Sequence, residues 1–436
     1  MQSPTFPAVH LSMLQSVELP QVIPVKLTHP SAPAVADIEK AVAAELSKSQ
    51  RLRALTQGAS VAVAVGSRGI SGIARVAKAT VDHLKSMGFS PFIVPGMGSH
   101  GGGIAEGQVA VLAGLGVTED SMGVPIRATM EVVKYGTSSQ GVDAMFDKYA
   151  SQADGVVVIN RVKSHTSFDR PIESGLTKMV AVGLGKGEGA KRVHVLGPEG
   201  LRDVLPELAK ISIENSPICY GIALVENPQK ELVTIEGVEP DQFYSTDERL
   251  LVKAKSLLAR LPFEQIDALV CELVGKNISG AGMDFAVTAR TDIRGVDNPP
   301  KPLIHRIGVL GVTPESKGNA NGIGMADYAP MDFINSIDLH SIYFNGVTAA
   351  IVEKGRIPLV LPHDLDVFRA CVSTAWVADP TQARLCMIRS TSQMNEIMVS
   401  PSLFEEISAR DDVEMLGDAQ PIEFSEDGKL LTRCKG

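Results

Sequence analysis

The sequence predicts an α/β protein of two domains: a parallel-sheet βαβ N-terminal domain and a smaller α/β C-terminal domain. Three observations predict it. Short runs of small and β-branched apolar residues recur along the chain, with no polar face, as fully buried parallel strands require. Helical periodicity follows several of these runs, the alternation that builds βαβ units with helices on both faces of a sheet. The length, 436 residues, is too great for one ordinary hydrophobic core.

The elements follow in order. Residues 1–45 read as an irregular arm spaced by Pro20, Pro24, Pro30 and Pro33. SVAVAVG, Ser60 to Gly66, is the first buried strand. The next stretch, GIARVAKATVDHLKSMGF, repeats apolar residues at helical spacing, with Gly88 as its stop. FIVPG (Phe92 to Gly96) is the second strand, Ala105 to Leu115 a helix, and GVVVIN (Gly155 to Asn160) the third strand. A helix near Gly200 to Ile213, a strand near Cys219 to Val225 and a helix near Asp247 to Ala259 continue the alternation. DALVCELVG, Asp267 to Gly275, restarts a buried strand and opens the second domain. The expected division is 1–258 and 259–436. Beyond it lie the glycine loops NISGAGMD and SKGNANGIGMAD.

Composition narrows the function. A net charge of −9 and the lack of a basic block argue against a nucleic-acid partner. No apolar run approaches the roughly 20 residues that span a bilayer. The N-terminus lacks a basic-then-apolar secretory pattern, and the expected location is the cytoplasm. Five scattered cysteines with no CxxC pair indicate neither a disulfide framework nor a thiolate zinc site.

The chemistry-bearing residues gather after predicted strands. GSRG (Gly66 to Gly69) supplies Arg68, PGMGSHGGG (Pro95 to Gly103) supplies His100, and NRVKSH (Asn160 to His165) supplies His165. Ligands bind at the carboxyl ends of strands in open α/β sheets, so parallel neighbours would bring these three to one rim. SGLTK (Ser174 to Lys178) follows, and the segment closes on His194. Each has an ordinary alternative: a surface ion pair for Arg68, a turn cap for His165, a snorkelling stem for Lys178, plain surface for His194. GLGKGEG, with Gly183, Gly185 and Gly187, fits only loosely the glycine spacing of a phosphate-cradling loop.

The joint order Arg68, His100, His165, Lys178, His194 resembles the lactate racemase family, which uses a nickel-pincer nucleotide. The resemblance covers about Ser60 to His194, and continues beyond only in length and two-domain layout. It implies a site in the interdomain cleft, the cofactor linked covalently to Lys178 through a thioamide, and nickel ligation by His194. It implies His100 and His165 as paired acid/base histidines and Arg68 as the holder of the substrate carboxylate. On their loose phosphate-loop spacing, Gly183, Gly185 and Gly187 are the candidates to line the cofactor. The chain departs from the pattern at Val65, where the lactate enzymes carry an acid, and at KNISGAGMD, where Lys276 and Asn277 are the nearest candidates for the substrate tail. A 2-hydroxy acid other than lactate, such as a sugar acid or dicarboxylate, is therefore as suitable. The implied reaction is racemisation or epimerisation by reversible hydride transfer at C2, and the implied partners are a small anionic substrate and cofactor-maturation enzymes. Arg68, Lys163, Lys178, Lys186 and Lys276 would focus positive charge for that anion. Two rivals stand beside it. One is a zinc hydrolase on His100, His165 and His194, with Asp169 or Glu188 as base. The other is a non-catalytic binder of a sugar acid or nucleotide.

Overall fold

A computed structural model describes residues 2–66, 69–165, 170–197, 200–291 and 293–435. The chain forms two compact units, one of residues 31–165 and 170–258, the other of residues 2–30 and 259–435.

The first unit is built on a five-stranded sheet in the spatial order Ser90–Pro95, Ser60–Val65, Gly155–Arg161, Ile218–Glu226, Leu232–Val238. The first four strands run parallel and the last is antiparallel. Its central strands alternate between two cores. Ala62, Ala64, Val156 and Val158 face one, with Leu176, Met179 and the helices Leu205–Asn215 and Phe243–Ser256. Val61, Val63, Val65, Val157 and Ile159 face the other, with the helices Ile38–Leu46 and Ile73–Ser86. Two covered faces explain the uninterrupted apolar runs. The helix Ile73–Ser86 buries Ile73, Val76, Ala77, Val81 and Leu84. Gly88, at φ +86°, turns the chain out of it. A hairpin, Val132–Thr137 with Asp143–Asp147, stands apart from the sheet.

The second unit holds an eight-stranded mixed sheet. Its order is Leu359–Leu361, Tyr328–Pro330, Leu303–Val309, Gln265–Cys271, Leu385–Ile388, Glu396–Val399, Ile23–Leu27, Val413–Met415. The first five strands are parallel and the last three pair antiparallel.

The arm expected to be irregular is partly regular. Ile23–Leu27 is an inner strand between Glu396–Val399 and Val413–Met415. Its signal is masked locally by Pro24, and the pairing that forms it lies far along the chain. The helix Ile38–Leu46 also begins inside the arm, capped by the Asp37 side chain on the N–H of Lys40. Among the described residues no helix is long and apolar enough to cross a membrane.

Candidate functional site

The first unit's parallel strands end level. Val65 is in register with Pro95 on one side and Ile159 on the other. The loops beginning at Gly66, Gly96 and Val162 therefore leave one carboxyl edge. His100 and His165 lie on two of these loops, His100 exposed and His165 half-buried. Arg68 lies outside the described residues.

Lys178 is brought to the same edge by its neighbour. Met179 is buried, and its thioether occupies the space beside three glycines. A Cβ on Gly96 would come within 2.7 Å of Met179 Sδ, one on Gly183 within 2.5 Å, and one on Gly66 within 3.4 Å of its methyl group. Small residues at the strand ends let Met179 seat there. The turn before it is fixed from beneath. Asp247, fully buried on the helix Phe243–Ser256, accepts the N–H groups of Leu176 at 2.9 Å and Thr177 at 2.7 Å. Gly175, at φ +106° and ψ −162°, makes the approach; that backbone region is open essentially to glycine alone. Asn160 Nδ2, at the end of its strand, donates to the Gly175 carbonyl at 2.6 Å. Burial pushes the Asp247 carboxyl up to about 7, against the pull of its Thr177 and Leu176 donors.

Glu173 ties this turn to His165. Its carboxylate is buried and accepts the backbone N–H of His165 at 2.5 Å and of Arg170 at 2.9 Å. It also accepts the Ser164 hydroxyl at 3.2 Å and pairs with Lys255 Nζ at 2.5 Å. Its own carbonyl accepts Lys178 Nζ at 3.2 Å. Ser174 closes the arrangement: its hydroxyl accepts the Lys163 N–H and donates to the Lys163 carbonyl, each at 2.6 Å. Burial pushes the Glu173 carboxyl up, opposed by Lys255 and by the N–H groups of Arg170 and His165.

The glycine-rich segment runs through two helical pieces, a π-turn over Met179–Gly183 followed by the helix Lys186–His194. Gly183 and Gly185 admit their own chain: a Cβ on the first would meet the Gly96 carbonyl at 2.8 Å, on the second the Ala181 carbonyl at 2.7 Å. Gly187 is less crowded, with Met130 Cε 3.6 Å away. Lys186 is fully buried and paired within the fold. Its Nζ meets Asp147 Oδ2 at 2.8 Å, the Pro95 carbonyl at 2.5 Å and Gln108 Oε1 at 3.2 Å. Gln108 passes this order to the His100 loop, donating to the carbonyls of Gly98 at 2.8 Å and His100 at 3.4 Å.

In the other unit, Lys276 and Asn277 follow the strand Gln265–Cys271. Lys276 Nζ donates to the Gly280 carbonyl at 3.0 Å, and Asn277 Oδ1 accepts from Thr313 at 2.6 Å and Ser316 at 3.3 Å. The helix Lys186–His194 carries His194, whose side chain lies outside the described atoms. Among the described residues no group of three or more His, Cys, Asp or Glu side chains is placed to hold a metal.

Sequence reasoning missed Glu173, Asp247, Asn160 and Gln108. The first two read locally as surface acids. One signal was present: Gly175 inside an otherwise helix-forming SGLTK.

No protein-family model matches the sequence, and no curated protein matches it. Among solved structures, the lactate racemase apoprotein from Thermoanaerobacterium thermosaccharolyticum is similar, at 10% identity and a TM-score of 0.49, covering 90% of this chain and 96% of that one.

Proposed function

We propose that the chain is a racemase or epimerase of a small 2-hydroxy acid that works with a nickel-pincer nucleotide anchored on Lys178. The observation that carries this is the link through Glu173: a half-buried amine and a histidine loop share one buried residue at the carboxyl edge of a parallel sheet. That edge is where open α/β sheets bind ligands.

The residues present fit such a group at Lys178, a primary amine at the edge, and at Gly187, which faces less crowded space. Gly183 and Gly185 pack closely against their own chain. His194 is the proposed nickel ligand, and imidazole suits that metal. When bound, the nucleotide supplies the acceptor and donor of hydride at C2.

The chain's own residues manage protons and orientation. One of His100 and His165 would take the substrate hydroxyl proton. The planar 2-keto acid that would result has two opposite faces, which lead to opposite configurations at C2. The other histidine would give a proton back to the oxygen when the opposite face is reduced, and the other configuration would follow. Imidazole can both take and give a proton at neutral pH, so the pair would serve both directions. Arg68 is the proposed carboxylate clamp, because a guanidinium fork matches two oxygens.

The test is mass spectrometry of protein produced with the cofactor-maturation enzymes, with metal analysis of the same sample. A sulfur-containing nucleotide adduct on the Lys178 peptide, with nickel, is expected. An unmodified Lys178 without nickel overturns the reading.

A further inference from the structure

We infer that Glu173 is a positioning residue that sets His165 and Lys178 in register with each other. The inference rests on reading those two as site residues, but its geometry is independent of any cofactor. The carboxylate acts as a fork between two backbone positions. Oε2 accepts from the His165 N–H and Oε1 from the Arg170 N–H, the two described residues that flank 166–169. A fixed backbone at His165 limits where its imidazole can reach. The same residue's carbonyl accepts Lys178 Nζ, so amine and imidazole are referred to a single point. Lys255, on the helix Phe243–Ser256, is the counter-ion of this buried carboxylate at 2.5 Å. Ser174, next in sequence, holds Lys163 through both its backbone groups, so the loop cannot slide along its anchor. Neither oxygen of Glu173 faces solvent, and no proton transfer is assigned to it.

A fork of this kind needs two acceptors. In Glu173→Gln one oxygen becomes an NH2, which meets a backbone N–H and repels it. Glu173→Asp keeps both acceptors on a shorter arm and should restore part of the order.

The experiment uses the full-length chain without cofactor. Ring-13C histidine NMR follows His165 and His100, assigned with His165→Asn and His100→Asn. In parallel, Lys178 acylation by a small amine reagent is timed by peptide mass, with the exposed Lys210 as reference. In Glu173→Gln we expect a displaced or broadened His165 resonance, its titration midpoint moved by about half a pH unit or more, with His100 unmoved. The Lys178 rate should change about fivefold, and Glu173→Asp should fall between. A merely structural role would lower stability without singling out His165. Unchanged His165 and Lys178 in folded Glu173→Gln overturns the inference. Should that variant not fold, Lys255→Met is read by the same measurements, and an unperturbed His165 there overturns it equally. A selective His165 response in a protein whose Lys178 accepts no nucleotide would leave this inference standing while refuting the racemase reading.

Discussion

A side chain at Gly175 would occupy the space already taken by the carboxylate of Asp247. The two are 72 positions apart, yet the second dictates the identity of the first. Gly175→Ala is expected to cost about 3 kcal/mol or more, from a backbone region closed to alanine and from overlap with a buried acid. Urea denaturation checks it, and an unchanged midpoint would count against the packing described.

Asp247 should also make stability depend on pH. Its folded pKa, about 7, lies above its ordinary value of 3.8. Its contribution is therefore complete below about pH 4 and is lost as pH rises towards 7, by at most about 1.4 kcal/mol per unit. Asp247→Asn removes the titration. The difference between wild-type and variant unfolding free energies should fall through that window, and a constant difference would place the Asp247 pKa near normal.

Lys186→Met leaves Asp147 as a buried charge without its partner and should destabilise by about 3–5 kcal/mol. Adding Asp147→Asn should recover part of that loss, because the amide keeps an acceptor oxygen for the Ala150 N–H. The double-mutant cycle is read by thermal or urea unfolding; additive losses would mean the pair is not coupled.

His100→Asn and His165→Asn should each retain the Lys178 adduct and lower turnover by about 10²–10⁴, the usual contribution of a general acid or base. Lys178→Ala should lose both. Steady-state rates with a 2-hydroxy acid, beside peptide mass, separate the three variants.

Arg68→Lys should raise KM, since a point charge cannot reproduce the two-pronged contact of a guanidinium with a carboxylate. Initial rates over a range of substrate concentrations check this, and an unchanged KM would remove Arg68 from substrate binding.

What was legible in the sequence was whatever is written locally. Strands such as Ser60–Val65 and Gly155–Arg161 are apolar on both faces because helices cover both, and that leaves an unbroken run to read. The loops that carry His100 and His165 followed from strand ends alone. Glu173 and Asp247 stayed hidden because charge in a sequence reads as surface, and only tertiary packing buries it. The packing of GLGKGEG stayed hidden for a related reason. Glycine permits close approach without naming what approaches, and at Gly183 and Gly185 it is the protein's own backbone. The hairpin Val132–Thr137 with Asp143–Asp147 was missed because its first strand has no buried face.

Ile23–Leu27 is made near the start of synthesis, yet both its neighbours, Glu396–Val399 and Val413–Met415, are made near the end. Topologically, residues 31–258 are an insertion in the chain of the other unit. The inserted part can fold while the ribosome is still working; the host part must wait for its final segment to recapture its first. A fragment beginning at residue 259 would lack that strand and expose two unpaired sheet edges to other molecules. Joining residues 2–30 to such a fragment by a new linker would restore the host as a continuous sequence.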